Sequence, residues 1–394
     1  MNKINVLFIN SWYPNKVLPF NGNFVQQHAK AVSKYCNVFC LQTQSRNQNS
    51  SFIVSKNNNE GLKEITVYYK KINSSSIVST YRKKQRQHKA FLKGFEAIIS
   101  ERINIDILHL NVIFPAGLFA VYLNKKYNIP IVITEHSTSY LSTSSSNFSF
   151  IEKIIINRIS KKAEIICPVS KDLENSMKRL GLKGSYRVVP NVINTNYFKF
   201  KESKNNNKIN IVHISSLKEE HKNVKGIINV IGKLSKIRQD FILNIVTDGK
   251  IESIVQYAIN INLSDSFYSI EQNKSAEEIA LILQRNHLFL LFSNFENLPC
   301  VIIEALACGL PVLSSDVGGI NEMISKKNGV LVEQGNEKQL LYELERMINN
   351  LSFYDRESIS ASAIKRYSYE SVGFQFFKIY KEVLNKRKNL NKIK

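Results

Sequence analysis

Two carboxylates, Glu296 and Glu304, lie within the stretch Phe292–Ile324, FSNFENLPCVIIEALACGLPVLSSDVGGINEMI, which reads as strand, loop, helix, strand, loop, helix. A carboxylate accepts hydrogen bonds from vicinal hydroxyls, and this spacing sets the two acids about two helical turns apart. The pair therefore suits a ligand with two diols, such as a sugar ring and a ribose. In an open α/β sheet, ligands gather at the carboxyl ends of strands, where helix N-termini present free N–H groups, and Glu296 follows such a strand. Asn297, Leu298 and Pro299 form the helix entry, where the missing proline N–H costs nothing. Gly309 permits a tight turn, and Gly318 and Gly319 permit close backbone approach at the next strand end. Taken singly, Glu296 reads equally as a helix cap and Glu304 as a solvated helical residue.

The elements that must position these residues follow from hydrophobic rhythm. Short runs of Ile, Val and Phe alternate with helix-length amphipathic segments, the pattern of parallel sheets built from right-handed crossovers. In the first half the expected strands are 4–9, 38–41, 65–69, 107–110, 131–134, 165–168 and a last one at 188–190. Helices are expected over 24–34, 84–99, 116–126, 151–161 and 171–180, the last stopped by Gly181. The polar run KESKNNNK, 201–208, has nothing to bury and is expected to be the linker. A second alternation follows, with strands at 209–214, 241–246, 267–269, 288–292, 311–314 and 329–331. The helical segment 371–384 precedes the basic tail NKRKNLNKIK, expected to be frayed. The expected division is 1–200, 201–368, and 369–394 as a helix crossing back to the first domain.

A chain of 394 residues, 43% hydrophobic and 22% charged, has apolar material for two cores. No apolar run approaches the ~20 residues of a membrane-spanning helix. Five cysteines without a C-x-x-C spacing fit a reducing compartment, so the expected location is cytoplasmic, or peripheral at the inner face of the plasma membrane. The net charge of +22 calls for an anionic partner or a lysine-rich surface. The sequence shows no zinc finger, single-strand-binding aromatic repeat or clear helix-turn-helix, so nucleic acid is not an expected partner. YRKKQRQHK (81–89) and IEKIIINRISKK (151–162) are basic and amphipathic, and each could lie on an anionic membrane or simply pack against the sheet.

The stretch from Phe292 resembles the E-x7-E signature of retaining glycosyltransferases of family 4, with the following ACGLPV and GGINE elements also in place. The resemblance implies the GT-B fold, two Rossmann-like domains facing across a cleft, and transfer of a sugar from a nucleotide sugar. It gives Glu296 the donor sugar, Glu304 the ribose hydroxyls, and Glu322 the support of the phosphate-side loop. IVHISSLKEEHKNVKGII (211–228) is similar to the family's diphosphate-binding segment, which places the lysine at Lys222. Ser216 stands where the family has arginine, so Lys218 or Lys225 would supply a second cation. FINSWYPNKVLPFNGNFVQQHAKAV resembles the opening strand, loop and helix, with Gly22 at the helix entrance, where its size would let ligand oxygens reach the amides of Asn23 and Phe24. VITEHSTSY places His136 where the family has a histidine beside the donor sugar, whereas His109 reads as a structural histidine.

The expected catalytic set is therefore His136, Glu296 and Lys222, and the donor-binding set is Gly22, Ser216, Lys222, Glu296, Asn297, Leu298, Glu304 and Glu322. No D-x-D pair or zinc spacing is present, so neither metal nor cofactor is expected. The expected partners are a nucleotide sugar, a saccharide or lipid-linked acceptor, and an anionic membrane surface, in a surface-polysaccharide pathway. Rival readings are a GT-B-fold epimerase, a phosphorylase, or a noncatalytic nucleotide-sugar binder.

Overall fold

The computed structural model describes residues 3–59, 61–141, 148–202 and 208–393, which divide into two compact units. Unit 1 comprises Met1–Val169, Glu174–Val192 and Tyr369–Lys394, and unit 2 comprises Ser170–Leu173 and Ile193–Ser368. The chain changes unit at Val192/Ile193 rather than at 200/201 because residues 193–200 are already tied into unit 2. Ile193 N donates to Tyr367 O, Gln284 Nε2 donates to the carbonyls of Tyr197 and Lys199, and Phe198 is buried. Most of the expected linker, residues 203–207, lies outside the described residues.

Unit 1 runs β1 (Asn5–Asn10), α1 (Asn23–Ser33), β2 (Asn37–Arg46), β3 (Phe52–Asn59), β4 (Leu62–Lys70), α2 (Ile77–Ile99), β5 (Ile107–Asn111), α3 (Gly117–Tyr127), β6 (Ile131–Glu135), α4 (Phe150–Ser160), β7 (Ala163–Pro168) and α5 (Lys171–Arg179), whose first turn groups with unit 2. The sheet order is β3-β4-β2-β1-β5-β6-β7, parallel throughout except for β3, which pairs antiparallel with β4. The central strands β1, β5 and β6 are buried along almost their whole length, as strands covered on both faces must be. β3 escapes sequence reading because FIVSKNNN is a half-exposed edge strand with little apolar content. The expected strand 188–190 is instead part of an extended segment beside β7, joined by Ile166 N to Ser185 O, Arg187 N to Ile166 O and Val189 N to Pro168 O, and Pro190 has no N–H to extend the ladder.

Unit 2 runs β8 (Ile209–Ile214), α6 (Glu219–Lys222), α7 (Val224–Leu234), β9 (Phe241–Thr247), α8 (Glu252–Asn260), β10 (Tyr268–Gln272), α9 (Ala276–Arg285), β11 (Leu288–Leu291), α10 (Cys300–Ala307), β12 (Val312–Ser315), β13 (Gly329–Val332), α11 (Glu337–Asn349) and α12 (Arg356–Tyr367). Its sheet is all parallel in the order β10-β9-β8-β11-β12-β13. This is the doubly wound order in which the direction of winding reverses between the first and fourth strands, here β8 and β11. Ligands bind at such a switch point.

The last helix, α13 (Tyr369–Ile393), returns to unit 1, where Val372, Phe376, Ile379, Tyr380 and Val383 join the core beside α1. Gly373 is required there, since a Cβ would lie 2.1 Å from Ala31 O. The basic tail expected to fray is helical through Ile393.

Candidate active site

The switch point of unit 2 is assembled from the loops after β8 and β11. His213 fastens the two strands: Nδ1 lies 2.9 Å from Leu290 O and Nε2 2.8 Å from Ser215 Oγ. Burial lowers its pKa to about 4, so the ring is neutral, with Nδ1 donating to the carbonyl and Nε2 accepting from the hydroxyl. Ser215 Oγ in turn accepts from Leu217 N at 3.2 Å. Ser216 follows, and its carbonyl packs so closely on Gly249 that a Cβ there would lie 2.3 Å from the oxygen. Ser216 thus shapes the join between the loops after β8 and β9.

The short helix α6 then delivers Lys222. Asn294, in the loop after β11, donates from its backbone N to His221 O at 2.8 Å and from Nδ2 to Glu220 O at 3.1 Å. The His221 ring meets Phe295 edge-on, and the left-handed Asn223 turns the chain into α7, whose first amides are capped by Glu219. Held this way, Lys222 Nζ lies 2.5 Å from Glu296 Oε1, and Ser293 Oγ donates to the same oxygen at 2.8 Å. Both side chains are largely buried, 20% and 10% exposed, so removing either would leave the other poorly compensated. Ser293 is a contributor that sequence reading missed; its only signal was its place three residues before the acid at a strand end.

Glu304 lies on α10, eight residues beyond Glu296, partly buried, and its carboxyl has no hydrogen-bond partner among the described residues. Burial raises its pKa to about 7. Asn297 and Leu298 are buried at the entry to α10, and Asn297 O accepts from Gly319 N at 2.8 Å. Gly318 has φ +57°, and a Cβ there would sit 1.9 Å from Glu296 O, so the GG pair is what lets the loop after β12 close on the loop carrying Glu296. Glu322, the last residue of the GGINE element, is hydrogen-bonded through its side chain. Both its oxygens accept from the amides of Lys171 (2.9 Å) and Asp172 (3.0 Å), at the start of α5.

In unit 1, His136 follows β6 in a turn organised by Glu135. That buried carboxylate accepts from the amides of Ile113, His136 and Ser137 and from Tyr140 OH; burial nevertheless raises its pKa. The His136 ring contacts Phe24 (4.4 Å between centroids) and His28 (5.2 Å). Burial first, then His28 and His109, lowers its pKa well below the ordinary value, leaving a neutral ring. His109 is structural, as expected, between Tyr380 OH and Thr134 Oγ1. Gly22 caps α1 with φ +69°, but the position of its absent Cβ lies 2.5 Å from the Trp12 backbone. The side a Cβ would occupy is therefore filled by the chain's own opening loop.

Residues 194–366 match the family Glycosyl transferases group 1, and residues 50–197 match Glycosyltransferase Family 4. The chain belongs to the GT-B glycosyltransferases of family 4. This member is 28% identical over 316 residues to N-acetyl-alpha-D-glucosaminyl L-malate synthase of Bacillus anthracis, covering 74% of the present chain and 79% of the relative. Among solved structures, sucrose-phosphate synthase from Thermosynechococcus elongatus superposes with a TM-score of 0.78 at 16% identity, covering 98% and 100% of the two chains. The Anabaena protein HepE in complex with UDP and glucose gives 0.68 at 15% identity, covering 96% and 99%. These likenesses agree with the two Rossmann-like units. No helix among the described residues of this glycosyltransferase is long and apolar enough to cross a membrane.

Proposed function

We propose that this glycosyltransferase moves a sugar from a nucleotide-sugar donor to a saccharide or lipid-linked saccharide with retention of anomeric configuration, in the cytoplasm or at the inner membrane face. The observation that carries the reading is the Lys222–Glu296 pair at the β8/β11 switch point, with the unpartnered Glu304 carboxyl on the helix that follows. One contact thus supplies a cation for the donor diphosphate and a carboxylate for sugar hydroxyls, while Glu304 is free to accept from a ribose. The UDP and glucose held by the Anabaena neighbour support this class of donor.

In the proposed reaction the acceptor hydroxyl attacks from the face the diphosphate leaves, and the departing phosphate takes its proton, so no protein nucleophile is assigned. Lys222 and the amides at the entry to α10 stabilise the charge that develops on the leaving group. His136, in unit 1, is neutral and can donate to or accept from a hydroxyl without adding charge. The cations come from the chain itself, and transfer is expected to survive chelation.

Glu296→Gln and Lys222→Ala are each expected to lower turnover by ~10²-fold or more, the scale of losing one preorganised electrostatic group. The check is product formation with matched thermal melts, and NMR of the anomeric proton reads the stereochemistry. Wild-type turnover in Glu296→Gln would overturn the assignment, and an inverted product would overturn retention. Donor binding without any transfer or donor hydrolysis would favour a noncatalytic binder.

A further inference from the structure

Unit 1 exposes apolar surface that its own fold does not use. Helix α4 carries two stripes. One, Ile156, Ile159 and Ser160, is buried, with Ile159 packed where Gly117 of α3 leaves room. The other begins with Phe150, 78% exposed, and Ile151, 67% exposed, and continues through Ile154 to Arg158. A capping box between Ser149 and Glu152 fixes the first turn, so Phe150 and Ile151 are presented to solvent by a well-anchored helix end.

The first two turns of α2 are exposed on nearly every side, showing Val78 and Tyr81 together with Arg82, Lys83 and Lys84; only from Ala90 onward does the helix pack as core. Both helices flank α3: His88 and Phe91 of α2 meet Phe119, with ring centroids 5.6 and 5.0 Å apart, and Ile159 of α4 packs at Gly117. The Glu152 carboxylate is held below its ordinary range by hydrogen bonds from Ser149 and, in smaller part, by the charge of Lys84. Residues 78–95 and 117–127 contain no acidic side chain at all. The result is an apolar cluster bordered by cations, the composition of an element that lies in a membrane interface.

We propose that this face of α2 and α4 docks on an anionic lipid bilayer, with Phe150, Ile151 and Tyr81 entering the interface and Arg82, Lys83, Lys84 and Arg158 meeting headgroup phosphates. A nucleic acid would use the cations but gives Phe150 and Ile151 no apolar phase to enter. The inference rests on the transferase reading only for its purpose, since a lipid-linked saccharide acceptor is presented at such a surface.

The test is flotation of the full chain with phosphatidylcholine vesicles and with vesicles that also contain phosphatidylglycerol. Binding to the second but not the first is expected, with at least a ~10-fold loss both in Phe150→Ser/Ile151→Ser and in Arg82→Gln/Lys83→Gln/Lys84→Gln, in line with apolar and electrostatic terms acting together. All substituted side chains are exposed, and unchanged donor binding and melting would show that the variants fold. No preference for the anionic vesicles would overturn the proposal. So would undiminished flotation of Phe150→Ser/Ile151→Ser, or displacement of the protein from vesicles by duplex DNA that binds this variant as well as it binds the wild type. Donor binding is measured separately, so failure here leaves the sugar-transfer reading standing, and loss of donor binding with flotation intact sinks only the latter.

Discussion

Glu304 is the residue whose chemistry is most exposed to test. Its carboxyl, ordinarily near 4.5, is raised to about 7 by burial on α10, so it is half-protonated near neutrality. A ribose hydroxyl donating to it favours the ionised form, and binding below pH 7 must first expel a proton. Nucleoside diphosphate affinity is therefore expected to rise up to about tenfold per pH unit between ~5.5 and ~7 and then level off. Titration calorimetry across that range checks this, with Glu304→Gln expected to flatten the profile and weaken binding; a flat wild-type profile would count against the ribose role. Glu296 and Glu304 were legible in the sequence because both belong to one strand–loop–helix stretch. The contact of Glu296 with Lys222 was not legible from spacing, since 74 residues separate them and only the winding order that sets β8 beside β11 makes them neighbours. At Gly22 the backbone of Trp12 lies where a Cβ would stand, a contact that spacing does not show.

At the scale of elements, the site depends on two loops closing on each other, after β11 and after β12. The GG pair makes this closure possible, and Gly318 and Gly335 separate its two requirements. Both have positive φ, +57° and +73°, but a Cβ on Gly318 would overlap Glu296 O at 1.9 Å, whereas at Gly335 nothing lies within 4 Å. Gly335→Ala should cost only the left-handed backbone penalty, ~1–2 kcal/mol. Gly318→Ala carries that same penalty plus displacement of the loop bearing Glu296, and so should cost more stability and abolish donor binding. Chemical denaturation and calorimetry on the two variants check this, and equal donor affinity in both would show that loop closure is unnecessary. Elements with continuous apolar runs, such as β1, β5, β6 and β11, were visible from the sequence because double-sided burial demands those runs. The edge strand β3 and the first two turns of α2 were not, because neither is stabilised by burying a recognisable face.

Across the whole molecule, buried titratable groups make the two units respond differently to acid. Burial lowers His28 to about 4 and takes His109 and His136 well below their ordinary value, all in unit 1. A histidine whose folded pKa is depressed is neutral in both states above 6.5. Below that the unfolded chain gains a proton the folded one refuses, so stability falls by up to about 1.4 kcal/mol per pH unit for each such group until its folded pKa is reached. His88, also lowered by burial, adds to the three, and the raised Glu135 opposes them. In unit 2, His213, lowered to about 4, and the half-buried His287 act in the same direction, but Glu304, raised to about 7, is stabilised by protonation over much the same window and offsets one of them. Unit 1 should therefore be the acid-labile half. Trp12 is the single tryptophan and lies in unit 1, so its fluorescence follows that unit alone while far-ultraviolet circular dichroism follows both. Urea melts at pH 7 and 5 should show the fluorescence midpoint moving down more than the dichroism attributable to unit 2. His28→Gln should reduce the pH slope by about one proton, whereas a fluorescence midpoint unchanged between the two pH values would mean that these histidines are not neutral in the folded chain.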